Sequence, residues 1–428
     1  MNLPLALGID LGTSGVRTAV LDAQGTILAV ARSSYGANPD DHRNPELWWR
    51  AVTTCMDAQM QALREAGRDP EDISGLAVDG TSGSLVLTDA ALVPVTRALM
   101  YHDGGLTTEA EMIASVAPDP HVARGPGSAL ARALRLAAED TEGRAAHLLH
   151  QADFIAARLM GRGGYTDHNN ALKTGLDPGT GLWPDWMDAL PLQAKILPQA
   201  ATPGTPLDRV APDVAARFGL SRTALVHAGT TDSIAAFLAA ATPVAGAAVT
   251  SLGTTLAIKI CSDRRIDAPE LGLYSHRIGN CWLVGGASNT GGGVLRSLFD
   301  DAELVSLSAR IDPSVESPLD YYPLLRPGER FPVNDPSLSP RMSPRPSDDV
   351  AFLHGLLESI ARIEKRAYQI IAGLGGPEPE RIITAGGGGA SSTAWSAIRA
   401  RVLGVPVVTA QTPEASVGTA KLVDLSKT

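Results

Sequence analysis

Cysteine is scarce in this chain. Cys55, Cys261 and Cys281 are the only three in 428 residues, widely spaced and odd in number. That excludes a zinc site built from cysteines and suits a reducing, cytoplasmic compartment. Positive charge is also short. The 36 Lys and Arg face 46 Asp and Glu, giving a net charge of −10, and no basic run offers itself to a nucleic-acid backbone. Only six of the basic residues are lysine, a bias read as genomic rather than chemical. Long hydrophobic runs are missing too. Pro243 and neighbouring glycines break the longest apolar stretch below membrane-spanning length, and no signal peptide precedes the first strand. What remains is a soluble globular composition, 44% apolar and 19% charged, long enough for about two to three domains with real cores.

The first informative stretch is "LGIDLGTSGVRTAVLD", residues 7–22. Leu5, Leu7 and Ile9 alternate, and Val16, Thr18 and Val20 resume after the glycines. Both runs predict strands, with residues 12–15 as a tight hairpin turn. Neither GxGxxG nor GxxxxGK[ST] spacing occurs, so the commonest phosphate loops are excluded. A turn of small residues still exposes backbone N–H groups that attract anions, although a plain hairpin needing φ > 0 explains the glycines equally.

Downstream, strands and helices alternate. A third strand is expected over 26–31, a long amphipathic helix over 45–66, and a strand over 75–79 that ends in Gly80-Thr81-Ser82-Gly83. The middle third reads as more helical and irregular, with helices over 129–139 and 150–160. "HAGTTDSIAAFLAAA", 227–241, reads as one helix entered through Thr and Asp caps. The Pro-rich stretch 332–346 reads as a surface loop or a crossover. A helix of about six turns over 349–374 leads to a strand over 381–385, a glycine run and a helix from 391.

The pattern then repeats. "TSLGTTLAIKI", 250–260, echoes "IDLGTSGVRTAV", 9–20, about half a chain away, which suggests two copies of one domain. Two such turns facing across a cleft could hold a polyphosphate from both sides. A third glycine cluster, "TAGGGGASSTAW" (384–395), lies between a strand and a helix and lets a flat group approach the backbone.

These motifs, in this order, resemble the FGGY carbohydrate kinases over nearly the whole chain. The first two match the family's phosphate motifs and the third its adenosine motif. "YYPLLRPGERFP" (321–332) and "TPEASVGTAKLV" (412–423) resemble a family loop and the last helix. The resemblance implies an α/β protein of two actin-like (ribonuclease-H-like) domains with a cleft between them. Residues 1–239 would form the N-terminal domain and 240–413 the C-terminal one, with a helix in 414–428 packing back on the first. "VDGTSGS" (78–84), "DHNNALKTG" (167–175) and "GTTDSIAAFLA" (229–239) look closest to the short D-ribulose kinases of cyanobacterial and plant type. Departures gather on the sugar side. Tyr101-His102-Asp103-Gly104-Gly105 stands where many members have Trp-x-Asp-x-Arg, and Arg132-Ala133-Leu134-Arg135 stands in a Lys- and Trp-rich signature.

Residue chemistry and the resemblance together nominate a site. Phosphoryl transfer is mostly positioning and charge neutralisation. Asp10, ending a strand beside the turn, suits a water-mediated contact to Mg²⁺ and to substrate; as a bare signal it is equally a turn cap. Gly12, Thr13 and Ser14 would offer donors to ATP phosphates, as would Gly253, Thr254 and Thr255. A Thr-Asp-Ser before an apolar helix is ordinarily an N-cap, but the resemblance places Asp232 where the family carries its catalytic base. A helix N-terminus favours the charge a base needs. Thr81 and Ser82 would bind sugar hydroxyls, or simply end a strand. Gly387, Gly388 and Trp395 are adenine-pocket candidates, with helix core packing the alternative for Trp395.

Other signals are set aside. His147 and His150, three apart on an expected helix, have no third ligand. Trp48-Trp49 suits core and rim, Tyr321-Tyr322 a loop, and Glu414 a cap for the last helix. The expected activity is ATP- and Mg²⁺-dependent phosphorylation of D-ribulose to D-ribulose 5-phosphate, without nucleic-acid or membrane partners. D-xylulose or a polyol is the alternative acceptor, and a nucleotide-switched actin-fold binding protein the alternative class. Oligomeric state is not legible.

Overall fold

A computed structural model describes residues 4–38, 42–386, 392–412 and 414–425. The chain separates into two compact units, 1–239 with 414–428, and 240–413.

The first unit opens with strands β1 (Leu5–Leu11), β2 (Gly15–Leu21) and β3 (Ile27–Ser34), then α1 (Pro45–Glu65) and β4 (Ile73–Gly80). A smaller set follows: β5 (Leu85–Thr88), α2 (Thr107–Val116), α3 (Ala129–Glu139) and β6 (His147–His150). Next come α4 (Gln151–Met160), β7 (Tyr165–Asp167), α5 (His168–Leu172) and β8 (Gln199–Ala201). The last elements are β9 (Pro206–Arg209), α6 (Pro212–Phe218), β10 (Leu225–Thr231) and α7 (Asp232–Ala240). The second unit runs β11 (Ala248–Leu252), β12 (Leu256–Ser262), β13 (Tyr274–Ile278), β14 (Cys281–Ser288), α8 (Gly292–Leu298) and α9 (Asp301–Ser308). It finishes with α10 (Asp349–Gly373), β15 (Ile382–Ala385), α11 (Thr393–Leu403) and β16 (Val407–Thr409), before α12 (Ala415–Ala420) returns to the first unit.

Each unit is built on a six-stranded sheet, ordered β3-β2-β1-β4-β10-β9 in one and β13-β14-β12-β11-β15-β16 in the other. Five strands superpose in plan. Both β3-β2-β1-β4-β10 and β14-β12-β11-β15-β16 run two antiparallel steps and then two parallel ones. The sixth strand is added at opposite ends, β9 beside β10 and β13 beside β14. The duplication expected from the echo of 9–20 in 250–260 is therefore a duplication of sheet topology.

Local chemistry explains the main elements. All seven residues of β1 are buried, as a strand covered on both faces requires. Asn44 caps α1 by accepting from the Glu46 N–H, with Pro45 at the first helical position. The apolar face of α1, with Trp48, Val52, Met56 and Leu63, joins the first unit's core. Trp49 sits at the rim, its ring 5.1 Å from the Arg158 guanidinium.

Some expectations are corrected. Residues 227–241 are not one helix: β10 runs to Thr231, and the helix starts at Asp232. The strand escaped recognition because its pairing with β4 slips between His227 and Thr230, which breaks the period-two pattern. His147 and His150 lie on β6 and not on a helix. Glu414 occupies the N-cap position of α12 without capping it; its carboxylate pairs with Arg32 and Arg17 instead.

Helix α12 lies flush against the first unit. A Cβ at Gly418 would fall 1.8 Å from the Ala235 carbonyl oxygen, and one at Gly8 of β1 2.0 Å from the Ser416 carbonyl oxygen. Gly418→Ala should therefore destabilise the protein by about 1–3 kcal/mol or more, as overpacking does. Gly373→Ala, where a Cβ meets nothing within 4 Å, should not. Thermal unfolding of the two variants checks this. Equal midpoints would refute the close-packed account of α12.

Candidate active site

The parallel core of the first sheet brings its chemistry to one edge. β1 ends in Asp10 and Leu11, β4 in Asp79 and Gly80, and β10 in Thr230 and Thr231, followed at once by Asp232. Register places Arg32, Arg17, Asp10, Asp79 and Thr230 in a single row across five strands. Asp79 was missed by sequence reasoning. An acid in the same register as Asp10 on a parallel strand was the available signal.

The row is electrostatically tense. Asp10 and Asp79 are both buried and are direct register partners on adjacent strands. Burial, and for Asp79 also the neighbouring Asp10 charge, pushes both carboxyls above the usual range, Asp79 well above it. Arg17 Nη1 approaches Asp10 Oδ2 at 3.3 Å, and Arg17 Nε lies 3.7 Å from Glu414 Oε2. Thr419 of α12 donates to Asp79 Oδ2. The Asp232 charge also acts on Asp79, so the three acids share one neighbourhood. Asp232 is half-buried, and its Oδ1 accepts the Ser233 N–H at 2.6 Å.

Beside Asp10 the hairpin turn is tight, with Gly12 N–H donating to the Gly15 carbonyl at 3.0 Å and Thr13 and Ser14 exposed. A cavity of about 210 Å³ adjoins it, lined in part by Ser14, Arg17, Arg32 and Ser33. The corresponding turn of the second unit is clamped from behind. Gly292 N–H donates to the Gly253 carbonyl at 2.9 Å and Gly293 N–H to the Thr254 carbonyl at 3.0 Å. Sequence reasoning passed over this clamp, whose signal is the run Gly291–Gly293 opening α8. Glu329 of the "GERFP" loop braces the same region, accepting from Ser288 Oγ, the Asn289 N–H and the Tyr322 hydroxyl.

The loop after β4 is held by a directed chain. The Tyr101 N–H donates to Ser84 Oγ, Ser84 to Thr81 Oγ1, and Thr81 to Gln151 Oε1, which also accepts the Thr81 N–H. Thr81 is thus spent on the scaffold, whereas the buried Ser82 Oγ and Gln151 Nε2 have no hydrogen-bond partner. Arg132, 2% exposed, donates to the carbonyls of Gly83, Tyr101, Asp103 and Gly127. The segments 101–105 and 132–135, which depart from the resemblance separately in sequence, are therefore one structural unit around this loop.

"DHNNALKTG" braces β10. Asp167 caps α5, accepting from the Asn169 and Asn170 N–H groups, and Asn169 and Asn170 donate to Thr230. His150 is buried between Asp153, Thr166 and Thr174. Trp395 lies in the second unit's core, 2% exposed, its Nε1 without a partner. Gly387 and Gly388 fall outside the described residues. Among the described residues no group of three or more His, Cys, Asp or Glu side chains could hold a metal by itself, and no helix is long and apolar enough to cross a membrane.

Each unit thus carries the same sheet plan and a tight glycine-containing hairpin turn, and the first adds acids at its strand ends, an arrangement suited to a phosphotransferase of two related domains. Comparison with known proteins agrees. Residues 5–239 match the N-terminal and residues 248–422 the C-terminal domain of the FGGY family of carbohydrate kinases. The chain belongs to that family and is an ATP-dependent sugar kinase. A xylulose kinase of Escherichia coli K12 is 26% identical over 93% of this chain and 84% of its own. The fold matches a xylulose kinase of Rhodospirillum rubrum (TM-score 0.85, 22% identity, 99% and 90% of the two chains). It also matches a glycerol kinase of Plasmodium falciparum (TM-score 0.84, 14% identity, 99% and 90%).

Asp167 yields a pH test. It is buried, and burial first and the Asp153 charge second push its carboxyl up to about 6 from 3.8. A raised folded-state pKa stabilises at low pH and is lost as pH rises through the folded value. Stability should therefore fall between about pH 4 and 6 on this group's account, by about 3 kcal/mol. Asp167→Asn should make that segment less steep in urea titrations across pH, with the raised Asp10 and Asp79 still contributing, whatever it does to absolute stability. An unchanged slope would remove Asp167 as its source.

Proposed function

We propose that this kinase phosphorylates a ketopentose, with D-ribulose preferred and its terminal O5 the acceptor. The observation that carries the reading is the loop after β4. It presents short side chains, with Ser82 Oγ and Gln151 Nε2 unsatisfied, and its Thr81–Ser84–Gln151 chain and Arg132 fix it rigidly. A compact open-chain sugar with several hydroxyls supplies the missing partners. A site whose buried groups each await one hydroxyl discriminates epimers strongly, because the wrong epimer leaves donors unpaired. The likeness of "VDGTSGS" and "GTTDSIAAFLA" to D-ribulose kinases points the same way.

In this reading Asp232 takes the proton from the acceptor hydroxyl as its oxygen attacks the γ-phosphorus and ADP leaves. Asp10 and Ser82 orient the sugar. Gly12, Thr13 and Ser14 of the first turn and Gly253, Thr254 and Thr255 of the second meet the phosphates. Mg²⁺, when bound, would neutralise phosphate charge. Asp10 would be the residue to meet such an ion, through water; that no group of three or more possible ligands occurs among the described residues fits an ion that keeps its water and phosphate ligands.

D-xylulose is the second reading, favoured by the xylulose kinases among the relatives. Comparing kcat/KM for D-ribulose, D-xylulose, L-ribulose and glycerol at one ATP concentration separates the two. D-ribulose should lead by tenfold or more. A tenfold lead for D-xylulose or glycerol would overturn the ribulose assignment and leave the kinase standing.

A further inference from the structure

The second unit contains a charged pair with no exposure at all. Arg399 of α11 and Glu364 of α10 are each 0% exposed and meet through two parallel bonds of 2.7 Å, Nε to Oε2 and Nη2 to Oε1. Such a pair is by itself weak evidence of a stabilising role. Taking two ions out of water costs about what their attraction returns, and apolar side chains of similar volume serve as well or better. What apolar side chains cannot do is hold other polar groups in direction.

Two groups are held here. Thr250 Oγ1 donates to Glu364 Oε1 at 2.6 Å, and Arg399 Nη1 donates to Thr384 Oγ1. The Tyr368 hydroxyl, 3.0 Å from Thr250 Oγ1, completes the network as a donor. Thr250 and Thr384 are direct register partners on the adjacent parallel strands β11 and β15, both buried. Three residues beyond Thr250 the chain enters the Gly253–Thr255 turn, and two beyond Thr384 it enters the glycine run that starts at Gly386. One buried ion pair thus grips both strands just before each delivers a nucleotide-type motif.

We infer that Arg399 and Glu364 are positioning residues for the nucleotide: they fix the ends of β11 and β15 relative to each other, and with them the turn that follows β11. The inference rests on the reading of those motifs as the ATP site. Neither side chain touches nucleotide. They act through the two threonine hydroxyls, which in buried strands would otherwise be unsatisfied polar groups.

The test uses the full-length enzyme and two double variants, Glu364→Leu with Arg399→Met and Thr250→Val with Thr384→Val. The first removes both charges together, so no orphaned ion remains. The second keeps the pair and deletes only the hydroxyls it holds. Thermal midpoint, ADP affinity by calorimetry, and KM for ATP and for sugar are measured for each. Both variants should weaken ADP and raise the KM for ATP by about tenfold or more, with sugar KM and saturated kcat within about twofold of wild type. A folded variant with wild-type ADP affinity would overturn the inference, as would equal losses for sugar and nucleotide. If the charge-removal variant does not fold, the threonine variant decides alone. Failure of the wild-type protein to bind ADP would overturn both this role and the underlying nucleotide reading.

Discussion

Two carboxylates in register on neighbouring parallel strands are the constraint from which the first unit's site follows. Asp10 and Asp79 cannot move apart without breaking the ladder between β1 and β4. Each addition at that edge lowers the cost of the juxtaposition. Arg17, the register partner of Asp10 on β2, supplies positive charge. Thr419 supplies a hydroxyl donor to Asp79. Glu414, in turn, balances Arg17 and Arg32. The close backbone contact of α12 with β1 and α7 is what delivers Thr419 and Glu414 to the row. The last helix is therefore part of the site's electrostatics, although it is the final element of the described chain.

Duplication makes the specialisation visible. The row Arg17, Asp10, Asp79 of the first sheet corresponds in the second to Ala257, Ser251 and Ala385. One copy carries acids at its strand ends and the other small residues. The second unit keeps charge one residue further back along the strand, where Thr250 and Thr384 are gripped by the Arg399–Glu364 pair. The same sheet plan thus carries acids at its strand ends in one unit and a buried ion pair behind its strands in the other.

The fold was largely legible because its strongest signals are periodic. Alternation in 5–9 and 16–20 marked β1 and β2, Asn44-Pro45 marked the start of α1, and the echo of 9–20 in 250–260 revealed the repeat. What escaped depends on long-range pairing. β10 was absorbed into a helix because its slipped register hides the alternation. Asp79 looked like an ordinary strand residue, since only the β1–β4 register puts it beside Asp10. The joint role of segments 101–105 and 132–135 rests on Arg132, whose carbonyl partners lie up to 49 residues away. Thr81 read in sequence either as a sugar ligand or as the end of a strand, and its bonds to Ser84 and Gln151 were not visible there.

The central claim is that the edge formed by β1, β4 and β10 performs proton transfer through Asp232, and replacing that carboxylate by its amide tests it most directly. Asp232→Asn keeps shape and an oxygen that can still accept the Ser233 N–H, so ADP affinity should stay within about twofold of wild type. Sugar-stimulated ADP release at saturating substrates should fall by about 10²-fold or more, the scale of general-base loss. Turnover near the wild-type rate in a variant that binds ADP normally would contradict the account and remove Asp232 from the reaction.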